Sequence, residues 1–315
     1  TNINESVITN DFLFSSIDFI NSMGISSNYN ALLKNSNSYA NNSSNFEENS
    51  SYDLFGKVKV DMSLPLQKKL ENFTHYLKPV MSFRYSPNGN SDLASKDVLL
   101  NYDNVFSLNR IGSQHQVEGG ESVSLGLEFK RSDIYGKDIL DFNIANVLKS
   151  KENIYLPSKS KLNKTRSDIF GNLNYYLTEE LKVGYSFSYD RDLEYTNLEQ
   201  FNLEYGVNNF FTNFTYYRED NDIGDKETFK NKSSLNISNE NKLSFEVTKD
   251  LRDDFTQYYD IIYSYETDCI SIDLKYNKSF FRDGNLEPNK SLSFLLKIIP
   301  FTEIGVPNVG SLVGK

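Results

Sequence analysis

The 315-residue chain has no tryptophan, one cysteine, two histidines, three methionines and seven prolines. Each shortage removes a class of reading. A single thiol, Cys269, cannot build an internal disulfide framework. The two histidines, His75 and His115, lie in different segments, and neither sits in a zinc or triad pattern. There is no phosphate loop and no dinucleotide motif. No catalytic residue, metal or cofactor is therefore expected, and the chain does not read as an enzyme. Positive charge is also short: 33 Lys and Arg face 43 Asp and Glu, a net charge of -10. That argues against nucleic acid as a partner. No run approaches the roughly 18 apolar residues of a transmembrane helix. The opening TNINESVITN lacks the basic region and apolar core of a signal peptide. It leads straight into a strand pattern, so residue 1 is expected not to be the true start.

What the chain has is aromatic residues, 21 Tyr and 23 Phe, at a mean hydropathy of -0.53. That combination suits sheets with one apolar and one wet face. Helical periodicity is nearly absent, and period two recurs. Tyr52, Leu54, Gly56, Val58, Val60 and Met62 share one face. So do Val123, Leu125, Leu127 and Phe129, and Ile169, Gly171, Leu173, Tyr175 and Leu177. Leu181, Val183, Tyr185, Phe187 and Tyr189 form another. Leu243, Phe245, Val247 and Leu251 follow, with Lys249 interrupting. Ile270, Ile272, Leu274 and Tyr276, and Leu292, Phe294, Leu296 and Ile298, repeat the theme. The intervening positions are mostly polar. Strands of about 9–11 residues are long enough to cross a bilayer when tilted.

The links sharpen this. Short ones are expected at 178–180, 206–207 and 266–268. Long polar ones are expected at 36–50, 86–120, 149–166 and 219–230. Most long links fall on every second connection, as in a transmembrane β-barrel. The fold class expected is all-β: roughly 15 strands of a larger transmembrane antiparallel β-barrel, covering residues 1–300, with a short tail over 301–315. A soluble sandwich is the bland alternative, and it would need a second layer over the apolar faces. Pro79, inside the strand-like run 77–85, should mark a strand start or a local break.

Three segments carry a family resemblance. NYDNVFSLNRIGSQHQVEGGESVSLGLEF (101–129) is similar to a signature of the lipopolysaccharide-assembly family LptD, in which an FSLNR run precedes a Gly-Gly turn and a strand. RSDIFGNLNYYLTEELKVGYSFSYD (166–190) resembles its R-S-D-x-x-G strand and the strand after it. SYETDCISIDLKYNKSFFRDGNLEPNKSLSFLLKIIPFTEIG (264–305) resembles its C-terminal end. The resemblance covers most of residues 74–305, and the first 70 or so carry no recognisable motif.

The resemblance implies an outer-membrane barrel of a Gram-negative cell that passes lipopolysaccharide to the outer leaflet. Sugars would move through the lumen, and acyl chains would leave sideways between the first and last strands. The implied partners are lipopolysaccharide, an LptE-like plug lipoprotein, the periplasmic Lpt bridge through an N-terminal domain, and membrane lipid. The strand with Leu292, Phe294, Leu296 and Ile298, ended by Pro300, would be the last strand and one side of the lateral gate. Cys269 would lie at the periplasmic mouth, facing the lumen, where the family joins cysteines to its N-terminal domain. A free small residue is the plain reading of that thiol. Asn109, Arg110, His115, Glu118, Gly119 and Gly120 belong to a loop that either folds into the lumen, anchored by Val105, Phe106 and Leu108, or stays at the surface. Lys182, Ser186, Ser188, Asp190, Ser271, Asp273 and Lys275 read as wet wall. Asp220, Asp222 and Asp225 read as an acidic turn rather than a cation loop. A diffusion porin is the alternative function.

Overall fold

The computed structural model describes residues 3–43, 46, 48–87, 93–94, 96–221, 223–280, 289–298 and 302–306. It is an all-β, antiparallel architecture. Among the described residues no helix is long and apolar enough to cross a membrane. The chain divides into two compact units, Thr1–Leu173 with Phe187–Asn197, and Asn174–Ser186 with Leu198–Lys315.

The first unit opens with β1 (Asn4–Ser15) and the stub β2 (Phe19–Ile20), which both pair with β3 (Ser26–Asn41). β4 (Asn49–Ser63), the short β5 (Leu66–Lys69), β6 (Phe73–Ser86), β7 (Gly120–Asp133) and β8 (Asp138–Lys149) follow. The ladder runs β3–β4–β6–β7–β8, with β5 also on β6. Period-two alternation sends each strand's side chains to opposite faces, and burial is inverted relative to a water-soluble sheet. Lys34, Ser36, Lys57, Lys59, Ser82, Arg84, Ser122 and Ser124 are buried, whereas Leu33, Leu54, Val58, Met81, Phe83 and Leu125 are exposed. An apolar face turned outward and a polar face turned inward is the pattern a lipid-facing sheet requires.

Several expected details are corrected. The Asn/Ser-rich stretch 36–50 is not a long loop, because β3 runs to Asn41 and β4 begins at Asn49. Ladder pairing on both sides of β3 overrides the low strand propensity of Asn. Pro79 neither starts nor breaks β6. It pairs opposite Leu127 of β7, and on its other side the neighbour changes from β4, which ends opposite Val80, to β5, which begins opposite Leu77. The missing N–H therefore falls in a gap of the ladder.

The second unit takes in the end of β9 (Ile169–Tyr176), most of β10 (Leu181–Tyr189) and most of β11 (Thr196–Val207), and then a meander of β12 (Phe210–Glu219), β13 (Lys226–Asn236), β14 (Asn241–Asp250), β15 (Phe255–Glu266), β16 (Ile270–Ser279), β17 (Asn289–Ile298) and β18 (Thr302–Val306). Each strand pairs with the next. Gly206 and Val207 lie within β11, so the expected turn moves to 208–209. The 219–230 link shrinks to 220–225. Lys249 stays on the Val247 face of β14, opposite Phe229 of β13, and its Nζ pairs with Asp254 at 2.6 Å. The register shift beside it leaves Gln257 of β15 as the extra residue. The strand with Leu292, Phe294, Leu296 and Ile298 is β17, as expected, but it is not the last. β18 pairs with it from Ile298 to Phe294, so the boundary at residue 300 does not end the strands. A proline stops pairing only in the strand that carries it. Pro300 itself lies outside the described residues.

Candidate functional site: a strap over the polar face

The polar face of the first unit is covered by the segment between β6 and β7. Within it, residues 96–119 form a strap with one short helix, α1 (Tyr102–Val105). Asn101 caps α1: it accepts from the Asn104 amide at 3.0 Å, and the Asn104 side chain accepts in turn from the Asn101 amide at 3.0 Å. Leu100, Val105 and Ile111 bury themselves with Ala145 and Val147 of β8. The Phe106 ring lies on β7 over Gly126, where a Cβ would come within 2.6 Å of the ring. Only glycine admits that ring, which gives the FSLNR run and the following Gly-Leu strand one joint reason.

Basic side chains pin the strap. Lys59 Nζ donates to Phe106 O at 2.6 Å and Lys57 Nζ to Leu108 O at 3.1 Å. Arg84 Nη2 donates to Val105 O and Ser107 O, both at 2.7 Å, and Nη1 to Ser124 Oγ at 3.1 Å. Lys34 Nζ donates to Gln114 O at 2.7 Å and also meets Asp11 at 2.7 Å. The consecutive strap carbonyls 105–108 thus rest on cations from β4 and β6, and Gln114 O rests on Lys34 of β3. Lys59 further meets Asp61 at 2.7 Å.

The strap closes on itself through Arg110 and Glu118. Arg110 Nε donates to Glu118 Oε2 at 2.7 Å and its Nη2 to Oε1. Arg110 also reaches Ser122 Oγ at 3.0 Å and Ser124 Oγ at 3.1 Å on β7. Lys149 Nζ stands 3.5 Å from Glu118. Burial alone pushes the Glu118 carboxyl up; Arg110, then Lys149 and Lys57, outweigh it and hold it far below the usual carboxylate range. Asn109 donates to Ser113 O at 2.7 Å. Gly120 opens β7 with φ +87, a backbone turn suited to glycine. Under α1, Tyr102 Oη donates to Glu128 at 2.8 Å. It roofs a cavity of about 590 Å³ lined in part by Lys78, Lys130, Asp141 and Asn143.

The R-S-D-x-x-G segment builds the next support. Ser167 Oγ accepts from the Val147 amide at 2.8 Å, tying the chain to β8. Asp168 is fully buried and accepts from Asn197 at 2.8 Å and Ser188 at 3.2 Å. Gly171, in β9 (Ile169–Tyr176), lies so close to its neighbour that a Cβ would come within 2.3 Å of Asn143 O.

These three features, the FSLNR strap, the buried RSD aspartate and the inverted sheet, coincide with a sequence match. The family model described as LPS transport system D, LptD, covers residues 8–260. The chain belongs to the LptD family. That family is one of lipopolysaccharide-transport barrels of the Gram-negative outer membrane. The match takes in residues 8–70, where the sequence carries no recognisable motif, and stops short of the 264–305 segment. No curated protein matches the chain. Among solved structures, two mutants of the Rh. blastica porin are 7% and 8% identical, each covering 89% of this chain and 92% of that chain at TM-score 0.39. OccAB4 of Acinetobacter baumannii is 12% identical over 86% of both chains at TM-score 0.32. Likenesses that slight carry no argument.

The other expected positions of this LptD-family chain fall as follows. Lys182 Nζ lies 3.9 Å from Glu204 and faces the Tyr176 ring. Asp273 accepts from Ser264 at 2.5 Å, and Lys275 pairs with Asp260 at 2.7 Å. Ser271 and Asp273 help line a polar cavity of about 760 Å³ at the 208–209 and 237–240 turns. Cys269 is free and exposed in the turn before β16. Asp220 and Asp225 are both bridged by Arg252, the first at 2.9 Å, and Asp222 lies outside the described residues. Among the described residues, no group of three or more His, Cys, Asp or Glu could hold a metal. His115 packs edge-on to Phe46 and His75 edge-on to Phe129. Sequence reasoning missed Lys34, Lys57, Lys59, Arg84 and Lys149. The one visible signal was KVKV (57–60), where two lysines share the buried face of a strand.

Proposed function

We propose that this chain is the C-terminal part of the barrel wall of a lipopolysaccharide translocon. Its polar face lines the lumen and its apolar face meets lipid. The observation that carries the reading is the inverted sheet of an LptD-family chain, with buried cations beneath a strap on the wet side. Sugars and phosphates follow the polar face, and acyl chains leave through a seam beside the C-terminal strands. Leu292, Phe294, Leu296 and Ile298 of β17, the following Pro300, and β18 form that side of the gate. The strap residues Asn109, Arg110, Glu118, Gly119 and Gly120 fold into the lumen and narrow it. An LptE-like lipoprotein plugs the full barrel, and an N-terminal periplasmic domain receives lipopolysaccharide from the Lpt bridge. Cys269 sits at the periplasmic mouth, where a disulfide to that domain would anchor it. The protein moves a lipid and catalyses no reaction.

A folded-in strap also favours a second reading, a diffusion porin with a constriction loop. Depletion of the full-length protein separates the two. A translocon leaves newly made lipopolysaccharide off the cell surface. Unchanged surface lipopolysaccharide with altered small-solute uptake would sink the translocon reading in favour of the porin.

A further inference from the structure

Six basic side chains meet beneath or within the strap: Lys34, Lys57, Lys59, Arg84, Arg110 and Lys149. Among the described residues three carboxylates answer them: Asp11, Asp61 and Glu118. The surplus is positive, in a chain whose net charge is -10. Two cations carry most of it. Lys57 is 3% exposed and donates to the Leu108 carbonyl. Arg84 is 2% exposed, donates to two carbonyls and a hydroxyl, and its Nε has no hydrogen-bond partner among the described residues. Buried charge without a counter-charge is costly. A neutral carbonyl is also a weaker partner for a cation than an ionised oxygen.

We infer that Lys57, Lys59 and Arg84 form an anion site for phosphate groups on a saccharide, occupied at rest by the strap's own carbonyls at 105–108. A phosphate entering the site takes over the donors now held by Val105, Phe106, Ser107 and Leu108. It brings the missing negative charge, and the strap backbone is released locally. No covalent step is involved. Val105 and Ile111 remain anchored in the apolar core, so release is confined to the short stretch between them. The site thus couples cargo charge to the opening of the constriction. The inference rests on the translocon reading and adds to it a ligand group and a trigger.

Hydrogen exchange on the full-length protein in detergent tests it. The probes are inorganic phosphate, intact lipopolysaccharide and the same lipopolysaccharide enzymatically dephosphorylated. Binding of each lipid is measured on the same sample. The intact form is expected to raise exchange at 106–110 by about fivefold over the dephosphorylated form, the scale of one strengthened hydrogen bond. Inorganic phosphate should do so at higher concentration. In the Lys57→Gln, Lys59→Gln double variant the two lipids should differ little. The wild-type comparison stands even where that variant folds poorly. Equal or reduced exchange with the phosphorylated lipid, while both lipids bind, overturns the inference and leaves the translocon reading intact. Absence of lipopolysaccharide binding overturns both.

Discussion

Replacing Glu118 with Gln perturbs the strap with the least change in shape. The carboxylate is the counter-charge for an Arg110 side chain with no exposed surface, and Glu118's own side chain is 4% exposed. Lys149 stands at 3.5 Å. Gln keeps the volume and one acceptor but leaves two buried cations unanswered. Breaking a buried pair by removing one partner costs about 3–5 kcal/mol, roughly a hundred- to several-thousand-fold in the opening equilibrium of the strap. Hydrogen exchange at 106–118 should rise by that factor, while protection in β12–β16 stays unchanged. Glu121→Gln, at an exposed position three residues on, should move nothing beyond about 0.5 kcal/mol. The wild-type strap should also loosen in acid. A carboxyl held below its ordinary value of 4.5 gives stability that is complete above that value and is lost as pH falls through the folded-state value. Strap exchange should therefore climb below about pH 4.5 in the wild type and stay flat in Glu118→Gln. Unchanged strap protection in that variant would refute the claim that this pair holds the strap.

Other outcomes follow from the same geometry. Gly171→Ala drives a methyl to 2.3 Å from Asn143 O, a backbone atom that cannot step aside. Overpacking of about 1–3 kcal/mol or more should appear as a lower unfolding midpoint. Gly56→Ala, with nothing within 4 Å of the new Cβ, should stay close to wild type in the same melt. Phe245→Lys places a charge on the apolar face of β14, where Phe245 is 40% exposed. Unfolding in bilayers should register about 2–4 kcal/mol if the position lies at mid-depth. Ser244→Lys, on the opposite face, should cost far less. An equal cost at both positions would mean that the two faces are not lipid and water.

Much of the wall was legible because period two survives wherever one face is apolar. The faces at 52–62, 243–247, 270–276 and 292–298 follow directly from it. The sequence misled where composition outvoted pairing. Asn and Ser at 36–41 look like a loop, yet β1 and β4 hold them as strand. The pinned strap was the least legible part. Lysines on a strand ordinarily read as solvated. The partners here lie 47 and 51 residues away along the chain, a separation no local pattern reports. Gly126 has the sequence pattern of an ordinary strand residue, and only the Phe106 ring above it, 20 residues back along the chain, explains the glycine.

The proposed function stands or falls with the polar face being a lipopolysaccharide path. Photocrosslinkers placed in the full-length protein in living cells test it most directly. Lys232 and Thr248 lie on the polar face of β13 and β14, and Phe245 on the apolar face. Lipopolysaccharide adducts are expected from Lys232 and Thr248 and should disappear when lipopolysaccharide delivery is blocked, with none of that dependence at Phe245. Adducts confined to Phe245, or adducts at Lys232 and Thr248 that persist without delivery, would contradict it.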